Sequence, residues 1–252
     1  MKTPKGIPGF SYGGIHSNDY GVYLSSKQPD WLPKTRDYEM AIYGMPGIKD
    51  FGTDLDMRPL TINLTMEGSG RRDLINNILA FAALFNPVEG YQRLIFDDDP
   101  GRYYWAKYTS AVTESQIKFT PTTADFPLGF KCDDPFIYAV QEKTVEWVSD
   151  GVSSTSLLNY GTYETPLVIT VTADSTVSDF TLTLNGIDMT FTGTLNEGDT
   201  LVIDTGEMTY KLNGENAIQY WAGDFPMLQK GINTLSASES LNLSIAYRER
   251  WL

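Results

Sequence analysis

His16 is the only histidine in the 252-residue chain, and it sits in the run Gly14-Ile15-His16-Ser17-Asn18-Asp19-Tyr20-Gly21. An imidazole can serve as a general base or hold a metal, but a zinc site draws several nitrogen or sulfur ligands and a Ser-His-Asp triad needs a partnered ring. No second histidine exists and the single cysteine, Cys132, is far away in sequence, so His16 is assigned a structural role. Carboxylates are the other reactive groups. Asp97-Asp98-Asp99 precedes Pro100-Gly101, and Asp133-Asp134 precedes Pro135. Calcium takes clustered carboxylates, but neither run has the alternating ligand spacing and closing Glu of an EF-hand. Asp, Pro and Gly are the residues that turns select, so both runs read as solvated turns. Glycoside hydrolysis needs two carboxylates about 5–9.5 Å apart across a sugar. Glu197, Asp199, Asp204, Glu207 and Glu215 are available, yet no spacing marks a pair. Gly6, Gly9, Gly13 and Gly14 do not follow a strand and open a helix, as a phosphate loop would require. No catalytic residue, metal site or cofactor is therefore expected.

Binding is a different matter from catalysis. Tyr210, Tyr220, Trp221 and Phe225 fall close together with Asn213, Asn216 and Asp224. Exposed aromatics stack on sugar rings while such polar groups bond hydroxyls, so Trp221, Tyr220 and Asp224 are candidate carbohydrate contacts. The competing and favoured reading is that these rings close a β-sandwich core or an interface.

The elements that would position these residues are mostly strands. Leu60, Ile62, Leu64 and Met66 alternate with Thr61, Asn63 and Thr65, and Leu241, Leu243, Ile245 and Tyr247 alternate with Asn242, Ser244, Ala246 and Arg248. That period of two marks a sheet with one buried face. Phe180, Leu182 and Leu184 lead into Asn185-Gly186, and Ile187, Met189 and Phe191 return. Asn-Gly supplies the two positive-φ residues of a type I′ hairpin turn. Further strands are expected at 167–172, 201–204 and 208–212, with Val145 and Trp147 on the first strand of this half. One helix is expected over 71–85, with Leu74, Ile75, Ile78, Leu79, Ala82 and Phe85 on one face, Ser69 as its cap, Asp73 at its positive end and Asn86-Pro87 as its stop. The polar run at 149–156 suggests a boundary. The expected division is a first, α+β domain over 1–140 and an antiparallel β-sandwich over 141–252.

Between two strand-like runs, the segment Tyr43 to Pro59 holds Gly44, Pro46, Gly47 and Gly52 and the acids Asp50, Asp54 and Asp56. It reads as a projecting loop or hairpin. Long ordered excursions commonly reach a neighbour in assembling proteins. Tyr43, Phe51, Asp54, Asp56 and Met57 are the candidate residues of an oligomer interface, with Phe51 and Met57 as its apolar anchors.

Composition bounds the partners. The chain carries 19 basic and 32 acidic residues, a formal charge of −13. Phosphate binding needs clustered Lys and Arg, so adhesion to nucleic acid is not expected. Cys132 cannot form an intrachain disulfide, which fits a reducing compartment, and it reads as a small buried hydrophobe. The N-terminal Met-Lys-Thr-Pro-Lys-Gly-Ile-Pro lacks the apolar core of a signal peptide, and the longest apolar run, Leu79 to Phe85, is far short of a membrane span. Neither export nor membrane insertion is expected.

Four segments together, Gly14 to Gly21, Phe96-Asp97-Asp98-Asp99-Pro100-Gly101-Arg102-Tyr103-Tyr104, Phe130-Lys131-Cys132-Asp133-Asp134-Pro135-Phe136-Ile137-Tyr138 and Phe225 to Leu235, resemble the distal tail proteins of long-tailed, non-contractile bacteriophages. Gly161-Thr162 with Thr165-Pro166 adds to the likeness. The resemblance implies an N-terminal ring-forming domain related to tail-tube proteins and a C-terminal galectin-like sandwich. It also implies a homohexameric hub at the tail tip, with rings that can stack. The tail-tube protein would lie on one side, a tail-associated adhesin or lysin on the other, and DNA would pass the lumen unbound. Such a protein is made and assembled in the host cytoplasm and ends in the virion without catalytic function. Galectin-like shape does not by itself carry a sugar site over.

Overall fold

The computed structural model describes residues 8–29, 32–109 and 111–252; residues 1–7, which include Gly6 and all but the last residue of the N-terminal run considered above for export, lie outside the described residues. The chain divides into two compact units, Met1–Val140 and Gln141–Trp251.

In the first unit the antiparallel strands lie side by side in the order Ile15–His16, Phe10–Tyr12, Gln92–Phe96, Asp99–Tyr108, Thr123–Cys132, Arg58–Glu67 and Val22–Pro29. The Leu24 amide donates to the Pro8 carbonyl at 2.9 Å, which brings the last strand back beside the entry to the first. The sheet thus curls around its own core. Alternation in sequence becomes alternation in burial: Leu60, Ile62, Leu64 and Met66 point inward and face Phe130, Leu128, Phe126 and Ala124 across the ladder. Cys132 ends this row, fully buried, as its small apolar character suggested.

The single α-helix among the described residues, Arg71–Ala82, packs across the open side of that curl. It stops three residues before Phe85, because the Leu84 and Phe85 amides turn back to the carbonyls of Phe81 and Ala82 in tighter three-residue closures. Its inward stripe is Leu74, Ile78, Phe81 and Phe85, spaced four, three and four residues apart. Ile75, Leu79 and Ala82, expected on the same face, sit about a hundred degrees round and remain exposed. Ser69 does not cap the helix either. Gly70 takes the cap position without a side-chain bond, and the Asp73 carboxylate accepts from the Ser69 amide and hydroxyl at 2.8 and 3.0 Å. These bonds hold the Asp73 carboxyl below its usual range.

The second unit is an antiparallel sandwich. One sheet runs Lys143–Val148, Asn242–Tyr247, Leu167–Thr172, Thr200–Asp204, Thr209–Leu212 and Glu215–Asn216; the other runs Ser154–Asn159, Gly231–Ala237, Val177–Leu184, Ile187–Leu195 and Trp221–Gly223. Inward residues of both sheets form one core that includes Ile169, Val171, Phe180, Leu182, Phe191, Ile203, Leu243 and Ile245. The Asn-Gly hairpin has the expected register, with Leu184 opposite Ile187, Leu182 opposite Met189 and Phe180 opposite Phe191. Asn185 and Gly186 have φ of 50° and 85°, as a type I′ turn demands.

Candidate functional site: an exposed hairpin arm

Between Val22–Pro29 and Arg58–Glu67 the chain leaves the curled sheet and returns as a separate two-stranded ladder, Thr35–Met40 paired with Lys49–Leu55. The excursion is a hairpin rather than a loop, and its first strand begins well before Tyr43. Pro59 already belongs to the next core strand. At the base, the Asp56 amide donates to the Lys34 carbonyl at 2.7 Å and closes the excursion. Nearly every residue of the arm is exposed, and Tyr43 at the tip is fully so at 105%. A lone two-stranded hairpin is marginal in water, so this ladder has surface to give to a partner.

The cross-strand pairs sort the arm into two unlike faces. Arg36 lies opposite Asp54 and Met40 opposite Lys49. Between them a bulge sets Tyr38 against Phe51 and Gly52, whose φ is 117°. One face therefore carries Arg36, Tyr38, Met40, Lys49 and Phe51. The Arg36 guanidinium lies 5.6 Å from the Tyr38 ring centre and the Lys49 ammonium 6.0 Å from that of Phe51. The opposite face carries Asp37, Glu39, Asp50 and Thr53, with the Thr53 hydroxyl donating to Asp37 at 2.7 Å. Around the tip, Ile42, Met45, Pro46 and Ile48 border a hollow of about 190 Å³.

Of the interface candidates, Phe51 and Asp54 share the aromatic face and Tyr43 stands at the tip. Asp56 and Met57 lie at the base, where the Asp56 carboxylate accepts from the Met57 amide at 2.9 Å. Tyr38 and Met40, exposed by 44% and 58%, escaped the sequence reading because their strand buries nothing. Their only signal was the alternation of Arg36, Tyr38 and Met40 with Asp37 and Glu39.

The sandwich aromatics form a packed stack. Trp221 lies 4.7 Å from Tyr210 and 4.7 Å from Phe225, with the Phe225 ring inclined by only 15°, and its indole N–H donates to the Gly223 carbonyl at 2.8 Å. Tyr210 is buried, and burial pushes its hydroxyl pKa up. Tyr220 is partly exposed and packs edge-on against Phe191, while Asp224 is exposed nearby. Both aromatic partners of Trp221 are thus supplied by the chain itself. The sandwich acids serve turns: Asn213 and Asn196 bond Asp199 and hold its carboxyl below the usual range, and Asp204 accepts from the amides of Gly206 and Glu207.

His16 is tied into the first unit. Its Nε2 meets Asp97 at 2.9 Å and its Nδ1 accepts from the Asn18 amide at 3.2 Å, which fixes a neutral ring as the Nε2–H tautomer. Asp97 also accepts from the Gly9 amide at 2.7 Å. A Cβ on Gly9 would come within 2.8 Å of Asn18, Ser17 and His16, so only glycine fits beside this cluster. The next two acids are used separately, Asp98 by Lys27 at 2.7 Å and Asp99 by Arg102 at 3.2 Å. The turn itself is only Asp97-Asp98, since Asp99 already pairs with Phe96. At the other acidic turn, Asp133 pairs with Lys131 at 3.0 Å, and Asp134 accepts from the Phe136 amide and the Tyr138 hydroxyl.

Residues 15–132 match the family described as phage tail protein RIFT-related domain, and residues 160–251 match the family described as siphovirus-type tail component, C-terminal domain. No curated protein matches the sequence. Among solved structures, the Dit protein of phage SPP1, described as a paradigm of the hub adsorption apparatus in phages infecting Gram-positive bacteria, aligns with a TM-score of 0.78 at 20% identity. That alignment covers 98% of this chain and 100% of the SPP1 protein. A chain of the activated phage P2 baseplate with calcium aligns at 9% identity and a TM-score of 0.48, over 96% of this chain and 98% of that one.

Proposed function

This chain belongs to the siphophage distal tail proteins, structural components of the phage tail, and we propose that it forms a hexameric ring at the distal tip of a long non-contractile tail. The ring joins the tail tube on one face to an adhesin or tail-associated lysin complex on the other, and its lumen passes DNA. The order of the two family matches along one chain carries this reading, since a tail domain followed by a siphovirus-type C-terminal domain is the plan of a tail-tip hub. The arm supports it, because it offers a neighbouring copy a face on which Tyr38, Met40 and Phe51 are exposed. Charge supports it as well. Six copies at −13 each carry −78, and a strongly acidic ring repels DNA rather than retaining it. The chain is made and assembled in the host cytoplasm and resides in the virion.

Light scattering coupled to negative-stain microscopy tests the proposal. The expected result is a six-fold ring with an open centre; a monomer that stays monomeric when mixed with its tail-tube protein overturns it. The arm has its own test. Deleting Gly47–Asp54, which removes most of its second strand, leaves the first unit folded, because this ladder is not part of the curled sheet. The expected outcome is a protein with unchanged core melting that no longer forms rings.

A further inference from the structure

We infer that Arg58 is the base of a binding site for a small monovalent oxyanion, enclosed within the first unit and held on the side-on edge of its guanidinium. The inference is independent of the ring reading above.

A buried charge without an acceptor carries it. Arg58 is 1% exposed and is the one cation among the buried residues described. It opens the strand Arg58–Glu67 opposite Cys132, at the last pair of that ladder. Its Nε and Nη2 are shut off from water and meet no hydrogen-bond partner among the described residues. A guanidinium does not discharge by losing its proton, so burying it without a counter-charge is costly. The chain treats its buried acid differently: Glu249, 6% exposed, accepts from the Lys143 ammonium and from the Tyr160 amide.

The two free atoms name the class of ligand. Nε–H and Nη2–H share one edge of the planar group and point the same way, at the spacing of the two oxygens of a carboxylate. The polar side chains beside Arg58 are donors as well. Burial pushes the Tyr104 hydroxyl and the Cys132 thiol up, and the Arg58 charge offsets this only in part, so both keep their protons at neutral pH. The acids of this neighbourhood are engaged elsewhere. Asp99 pairs with Arg102 at 3.2 Å, and Asp134 accepts from the Phe136 amide and the Tyr138 hydroxyl. Donors around one fixed positive charge select an anion, and two parallel N–H bonds favour a planar oxyanion over chloride. Enclosure and the single charge favour formate, acetate or bicarbonate over a dianion such as sulfate.

Sodium formate, exchanged for sodium sulfate at fixed ionic strength, is the probe. The single cysteine lies in the first unit, so the rate at which a thiol reagent labels Cys132 in mild urea reads the opening of that unit alone. For one site, each tenfold rise in free formate beyond half-saturation should slow wild-type labelling about tenfold. Arg58→Met, which keeps the bulk and removes the charge, should show no such slope, and the difference between the two cancels general salt effects. Arg58→Lys keeps the charge without the fork and should need at least about tenfold more formate. Equal slopes in wild type and Arg58→Met, no slope in wild type up to about 0.3 M formate, or a chloride effect as large as that of formate would each overturn the site. Should Arg58→Met fail to fold, carbon-13 formate decides on wild type alone. Its resonance should broaden or shift with the folded chain and not with the chain unfolded in urea; the same line in both overturns the site.

Discussion

Truncating Asn233 to alanine exposes what the sequence motif Gln229 to Asn233 is for. The Asn233 amide nitrogen donates to the carbonyls of Gln229, Gly231 and Leu157 at 2.8, 3.1 and 3.4 Å, and its oxygen accepts from the Gln229 amide and the Asn185 side chain at 2.7 Å each. All of this happens at 0% exposure, so the lost partners cannot turn to water. Asn233→Ala is therefore expected to destabilise the sandwich by about 2–4 kcal/mol, read from urea unfolding of the intact chain. A cost below about 1 kcal/mol would mean the loop re-forms its bonds without the amide. Cys132 makes a second prediction at this scale. Burial, partly offset by the Arg58 guanidinium, pushes its thiol up to about 12 from 9.0. Since the folded value is the higher one, this contribution is intact below pH 9 and is lost as pH rises from about 9 towards 12, at about 1.4 kcal/mol per pH unit. Between pH 8 and pH 10, Cys132→Ala should lose less stability than wild type by roughly that amount. At pH 8 a thiol reagent should label wild type only on unfolding; labelling at the rate of a free thiol would contradict a buried, protonated sulfur.

Single elements show where sequence pattern is informative and where it fails. The helix buries Phe81, which meets Phe85, Phe126 and Phe10 at ring distances of 5.0, 6.2 and 6.5 Å, while Leu79 two residues earlier is 65% exposed. Phe81→Ala is expected to cost about 3–5 kcal/mol and Leu79→Ala less than about 0.5 in the monomer. Equal costs would put the inward stripe elsewhere. Composition alone could not separate the two, because Ile75 and Leu79 are as apolar as Leu74 and Ile78, and only the curl of the sheet decides which stripe is covered. Sandwich strands such as 167–172 were legible for the opposite reason: one face is buried and the other wet, so burial is written as alternation. Thr35–Met40 was not legible, since a strand whose residues are all exposed has no core to write that pattern. The candidate interface was accordingly half visible. Phe51 announced itself as an aromatic among acids, and Tyr38 and Met40 became evident only when pairing put them on the same face. Ser69 failed as a cap because Asp73 can reach back to the Ser69 amide and hydroxyl, leaving Gly70 to take the cap position.

Across the whole molecule, the two units have separate hydrophobic cores, and every residue of the sandwich core, from Leu157 to Tyr247, belongs to the second unit. Polar groups of the second unit bond within it: Glu249 accepts from Lys143 and from the Tyr160 amide, and Thr165 bridges Leu228 and the Arg248 carbonyl. A domain of about a hundred residues with a closed core is large enough to fold alone. Residues 141–252 expressed separately are therefore expected to unfold in one cooperative transition and to remain monomeric, because the arm and the curled sheet both lie in the first unit. Residues 1–140 are expected to retain assembly, with a midpoint concentration within about tenfold of the intact chain, as the contacts proposed for the ring are all present in that fragment. Sedimentation and thermal melts of both fragments decide the matter. If the sandwich fragment assembled while the first unit stayed monomeric, the subunit contacts would have to be moved from the arm to the outer sheets, where Val148 and Ile232 are 69% and 76% exposed.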